Sequence, residues 1–154
     1  MDELVNVVRF KRNPALNVAN NVYAELGSTF ALTVTGAPIE AAHVMGKLIT
    51  HVGADRIVWG TDSTWWGSPQ WQIDAFRRFQ IPEDIQKGWG YKPITDKDKD
   101  LILGLNSARL YGIDVEQTMR QLAKDEISIV RSALAPELTP EFRKYVAAAG
   151  VPLA

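Results

Sequence analysis

Asp55-Arg56-Ile57-Val58-Trp59-Gly60-Thr61-Asp62-Ser63 is the stretch on which the reading of this chain turns. Ile57, Val58 and Trp59 form a short apolar run of the kind that makes a buried strand. A small residue and polar side chains follow at once, so the polar groups sit at the carboxyl end of that strand, where parallel α/β folds place their chemistry. Asp62 is therefore the foremost candidate for a functional residue. Two readings of it are open: an ionisable group aimed into a site, or an N-cap for the helix that follows, since Asp and Ser are favoured caps.

Working upstream, residues 38–52 open with Pro38 and place Ala41, Ala42, Val44, Met45, Leu48 and Ile49 at helical spacing. This predicts a crossover helix of a βαβ unit, and a right-handed one by the usual rule. Residues 28–36 are rich in Ser and Thr and run into Gly36-Ala37-Pro38, which reads as a loop at the mouth of the site. Asn21-Val22-Tyr23-Ala24-Glu25-Leu26-Gly27 is the other strand candidate, with Glu25 near its carboxyl end. Glu25 either faces the site and binds substrate or is a solvated or ion-paired surface carboxylate. The first ten residues lack a basic start and a long apolar run, so no signal peptide is read there and the chain is expected to stay in the cytoplasm.

Downstream of Asp62, three Trp residues fall within Trp65-Trp66-Gly67-Ser68-Pro69-Gln70-Trp71. They suit an apolar pocket wall with indole donors for a polar substrate, or equally a loop packed on a rim. Trp65 and Trp66 are the two expected to face the site, because Trp71 begins a helix with Ile73, Ala75, Phe76 and Phe79 on its apolar side. A helical turn starts at Pro82-Glu83-Asp84, a cap is expected near Thr95, and residues 98–110 form a helix ended by Gly112 in a left-handed conformation. The run Asp96-Lys97-Asp98-Lys99-Asp100 reads as solvent-facing. Residues 115–134 read as one or two amphipathic helices, and Pro140 opens a last short one.

The stretch 53–63, followed by Asn106-Ser107-Ala108-Arg109-Leu110-Tyr111-Gly112, resembles the C-terminal end of the amidohydrolase-related family, which includes metal-dependent hydrolases and decarboxylases similar to aminocarboxymuconate semialdehyde decarboxylase. The resemblance implies a (β/α)8 barrel in which a Gly-Thr-Asp motif closes the last strand. Asp62 is then the metal-site carboxylate and general base, the cofactor is a divalent metal such as zinc, and residues 106–112 are structural. The expected reaction is hydrolysis or non-oxidative decarboxylation by a metal-activated water.

Length qualifies this reading. The chain has 154 residues, whereas such a barrel takes about 250. The fold expected is α/β: the C-terminal portion of a TIM barrel with about two parallel strands, near 21–26 and 56–61, and a mostly helical content. Residues 1–112 would form the barrel part and 113–154 a helical extension. The family's His-x-His pair is absent, and the only imidazoles are His43 and His51. On one helix these lie about 12 Å apart along the axis, too far to share a metal. Asp62 would thus be a ligand without its set, and an inactive fragment acting as a structural or oligomerising module is the alternative.

Composition narrows the partners. An apolar fraction of 46% supports a genuine core, and a net charge of -1 gives no reason to expect nucleic acid or an anionic membrane. The absence of Cys removes thiolate ligands and cysteine nucleophiles. A small-molecule substrate is expected. So is association, either as a homo-oligomer or with an N-terminal barrel portion, because two parallel strands with open edges do not stand alone in water.

Overall fold

The computed structural model describes residues 22–134 together with Pro140 and Lys144. Residues 2–12, whose apolar positions suit a short helix or its tail ending before Asn13-Pro14, and most of the helix opened by Pro140 lie outside the described residues. The chain divides into two compact units, Met1–Tyr111 and Gly112–Ala154.

In the first unit, strand β1 is Ala24–Glu25 and strand β2 is Ile57–Val58. They pair in parallel, with Ala24 opposite Ile57 and Glu25 opposite Val58, and Leu26 N extends the ladder to Val58 O at 3.2 Å. The ladder is shorter than the stretches 21–26 and 56–61. Between the strands run helix α1, Gly27–Gly36, and helix α2, Pro38–Lys47, which continues as a π-helical turn over Leu48–Val52.

Helix α1 replaces the mouth loop expected for residues 28–36. Its Thr residues are accommodated because their hydroxyls bond back to the preceding turn, Thr33 Oγ1 to Thr29 O at 2.7 Å and Thr35 Oγ1 to Ala31 O at 2.9 Å. Phe30 and Ala31 are buried on its inner face. Burial of an aromatic ring is worth about 1.5–3 kcal/mol, enough to outweigh the weak helix propensity of a few Ser and Thr residues.

Helices α3, Ser63–Trp66, α4, Gln70–Arg78, and α5, Glu83–Trp89, follow β2. Helix α6, Asp96–Asp100, passes through a second π-helical turn, Leu101–Leu105, into α7, Asn106–Leu110. Phe30 lies at the centre of the core. Its ring meets those of Phe76 at 5.2 Å, Phe79 at 5.8 Å and Trp59 at 5.9 Å, all edge to face. Leu26, Met45, Val52, Ile57, Ile81 and Ile102 complete it. The core therefore fills the space between the strand pair and the helices that connect and follow its strands.

The charged run 96–100 is not uniformly solvent-facing. Lys99 is 4% exposed, and its Nζ donates to Arg77 O at 2.7 Å. The aliphatic stem is buried while the ammonium reaches a carbonyl in the last turn of α4, where a cation is favoured.

In the second unit, Gly112 has φ +66. Helix α8, Val115–Leu122, is capped by Asp114, which accepts from Gln117 N at 2.9 Å, and helix α9 spans Glu126–Leu134. Val115, Met119 and Leu122 are exposed along α8. Among the described residues no helix is long and apolar enough to cross a membrane.

Candidate active site at the carboxyl ends of the strands

The parallel register sends both chains out of the sheet at the same end, and Glu25 and Asp62 meet there. Glu25 is the last residue of β1, and its Oε1 accepts from Gly27 N at 2.9 Å. Asp62 lies beyond β2, and its Oδ2 accepts from Ser28 N at 2.9 Å. The first two amides of α1 are thus each taken by a carboxylate from a different strand. This is a favourable place for anionic groups, because those amides have no partner inside the helix and carry the positive end of its dipole.

Two glycines make the approach possible. A Cβ on Gly60 would land on Glu25 Oε1, so the Glu25 side chain lies directly against the backbone leaving β2. A Cβ on Gly27 would lie 2.7 Å from Glu25 Oε2 and 2.9 Å from Asp62 Oδ2. Both carboxylates therefore converge on the same point.

Asp62 has φ 46 and ψ 37 and is the only residue other than glycine with positive φ among those described. It precedes α3, but its side chain makes no capping bond to that helix. Its carboxylate is instead turned back to α1. Oδ1 accepts no hydrogen bond from the described residues, and Glu25 Oε2 is in the same state.

The neighbouring backbone is held from two directions. Gln72, fully buried on α4, donates from Nε2 to Thr61 O at 2.8 Å, the residue before Asp62. Asn106, fully buried at the start of α7, donates from Nδ2 to both Ala54 O and Ile57 O at 2.7 Å. Arg109 adds a bond to Asp55 O at 2.5 Å. The entry and the exit of β2 are both fixed by buried amide side chains.

The indoles divide in role. Trp66 donates from Nε1 to Ser28 Oγ at 2.8 Å, and Trp71 donates to Trp66 O at 3.1 Å, so these two tie α3 and α4 to the start of α1. Trp65 is 80% exposed. His43 is elsewhere, with Nδ1 3.3 Å from the Tyr91 hydroxyl and its ring edge-to-face with Trp89 at 4.9 Å. His51 is half-buried on the π-helical turn that follows α2. Neither imidazole joins the carboxylate pair.

A model of the amidohydrolase family matches residues 12–113, two-thirds of the sequence and the whole of the site just described. The chain belongs to the amidohydrolase family. Amidohydrolases of this kind are metal-dependent hydrolases and decarboxylases on a (β/α)8 barrel, and a mostly helical unit with two parallel strands is compatible with part of one. No curated protein and no solved structure matches the chain.

Among the described residues no group of three or more His, Cys, Asp or Glu side chains could hold a metal ion. Glu25 and Asp62 offer two carboxylates, whereas catalytic zinc sites take three protein ligands. The described residues do not fit the metal by themselves.

Ser28, Gly27, Gly60 and Gln72 are site residues that the sequence reading did not single out. Glycines directly after apolar strands are a signal of close backbone approach. Gln72 carried no such signal.

Proposed function

We propose that this chain supplies the last-strand carboxylate of an amidohydrolase-type hydrolase or non-oxidative decarboxylase acting on a small carbonyl-type substrate, with Asp62 as general base. The observation that carries this reading is the state of the Asp62 carboxylate: Oδ2 is engaged by Ser28 N, while Oδ1 has no partner among the described residues. In the hydrolytic direction a water oxygen bonds to the substrate carbonyl carbon, and its proton passes to Oδ1. Collapse of the adduct then breaks the bond to the leaving group, which takes the proton from Oδ1 and restores the Asp62 carboxylate. General-base catalysis of this kind contributes about 10²–10⁴-fold.

The backbone of Asp62 supports the same reading. A left-handed conformation costs a residue with a Cβ about 1–2 kcal/mol, and the one hydrogen bond that Asp62 accepts, from Ser28 N, returns about 0.5–1.5 kcal/mol. The two nearly cancel, so stability alone gives little reason to hold an aspartate there. Trp65, Trp66 and Glu25 are proposed to line the substrate side. Trp65 offers an exposed ring, Trp66 offers only its ring because Nε1 is occupied, and Glu25 offers Oε2.

Asp62 is also the ligand this chain would offer to a divalent metal such as zinc, in an assembly where another polypeptide supplies the remaining donors. An N-terminal barrel portion is the proposed partner, because copies of this chain bring no His-x-His. A second reading, a structural or oligomerising module without activity, is favoured by the two-stranded sheet and the missing third ligand among the described residues.

Elemental analysis of the purified protein, with its mass in solution taken on the same sample, separates the two. About one tightly held metal per chain, lost in Asp62→Asn, supports the enzymatic reading. A metal-free assembly that includes an N-terminal barrel portion overturns the assignment of Asp62 as a ligand, and a metal-free, defined oligomer that takes up no such partner supports the module.

A further inference from the structure

We propose that Glu25 is a positioning residue for Asp62, acting through the first turn of α1. The proposal rests on Asp62 being the reacting carboxylate, but the coupling it describes has a readout independent of activity.

The geometry interlocks at three points. Along Glu25, the atoms Oε1, Cδ and Cγ all pass over Gly60, where any Cβ would displace them. From there Oε1 takes the Gly27 amide at 2.9 Å. The next amide, Ser28 N, takes Asp62 Oδ2 at 2.9 Å. Glu25 and Asp62 do not bond to each other; they hold consecutive amides of one chain segment.

Gly27 is the joint between those amides. It has φ +36, and glycine moves between positive and negative φ at little cost. Each peptide unit is planar, so the direction of the Ser28 N–H follows from the two dihedrals at Gly27 once the preceding plane is fixed. That preceding plane is held on one side by the Glu25 bond to Gly27 N and on the other by Phe30 N, which donates to Leu26 O at 3.3 Å. Ser28 N is in turn the only hydrogen-bond donor to the Asp62 carboxylate among the described residues, and Asp62 is exposed. The aim of one N–H thus decides which Asp62 oxygen is left open, and Glu25 holds that aim.

The sequence left Glu25 open between a substrate contact and a surface carboxylate; the bond from Gly27 N to Oε1 suggests this further role, with Oε2 left for substrate. Gly60 belongs to the same device, since it provides the space in which the Glu25 side chain lies.

Three variants of the full chain test the coupling by NMR: Glu25→Ala, Glu25→Gln and Gly60→Ala. The readouts are hydrogen exchange at the Ser28 amide and the side-chain carboxyl carbon signal of Asp62. Glu25→Ala and Gly60→Ala are expected to speed Ser28 exchange about tenfold and to shift the Asp62 carboxyl signal. Glu25→Gln keeps an acceptor oxygen and is expected to stay within about twofold with the Asp62 signal in place. The Val34 amide, deep in α1, serves as the control that the helix remains folded. If Glu25→Ala leaves the Asp62 carboxyl signal where it was, the coupling is overturned, whether or not α1 loosens. Should Gly60→Ala not fold, the two Glu25 variants decide alone. Failure of Asp62 as a ligand or base would appear in metal content and turnover and would leave these signals unaffected.

Discussion

Asn106 carries more of β2 than its position in a helix suggests. A single Nδ2 group serves Ala54 O and Ile57 O, and both carbonyls belong to the segment that delivers the strand. Removing the donor costs both carbonyls a bond: Ala54 O keeps the one from Ile57 N, while Ile57 O must find another partner in a buried place. Each net bond is worth about 0.5–1.5 kcal/mol, and a stranded buried group costs more. Asn106→Ala is therefore expected to destabilise the first unit by about 2 kcal/mol, read as a lower midpoint in urea unfolding with the slope unchanged. At this scale the place of Asp62 just past β2 was readable from the apolar run before it, while the sequence left its role open between a site carboxylate and a helix cap. The direction of its carboxylate was not readable: it depends on Ser28, thirty-four residues away, and on two missing Cβ atoms.

Among the elements, the start of α6 is closed by a reciprocal cap. Asp98 N donates to Thr95 Oγ1 at 3.1 Å, and Asp98 Oδ2 accepts from Thr95 N at 2.9 Å. Thr95→Ala is expected to cost about 1 kcal/mol, visible as a lower melting temperature and as faster exchange confined to the first turn of α6. That cap was legible from Thr95 and Asp98 alone, because capping is local. Helix α1 was not. Its Ser and Thr content describes a loop, and only the tertiary surroundings, Phe30 against three aromatic rings and two foreign carboxylates on its first amides, make the segment helical. Helix α4 teaches the same lesson from its other side. Trp71, Ile73, Ala75, Phe76 and Phe79 marked an apolar face, and Phe76 is fully buried; what that pattern left out is Gln72, one turn earlier and equally buried. A buried amide satisfies a strand-exit carbonyl that no periodicity can announce.

For the whole molecule, the βαβ order and the parallel pairing follow from local patterns, whereas the completeness of the site depends on groups beyond the described residues. The core of the first unit gathers residues from Ala24 to Ile102, so opening any one helix exposes side chains contributed by several. Lys99 turns this into a measurable quantity. An amine held 4% exposed and donating to Arg77 O cannot reach an acylating reagent while α4 and α6 stay together. Brief treatment of the native protein with acetic anhydride should modify Lys87, which is on the surface, and spare Lys99. Added denaturant should bring Lys99 into the labelled set at the concentration where the core opens. The chain carries its own timer for unfolding, readable peptide by peptide in a mass spectrometer without a substrate or a cofactor.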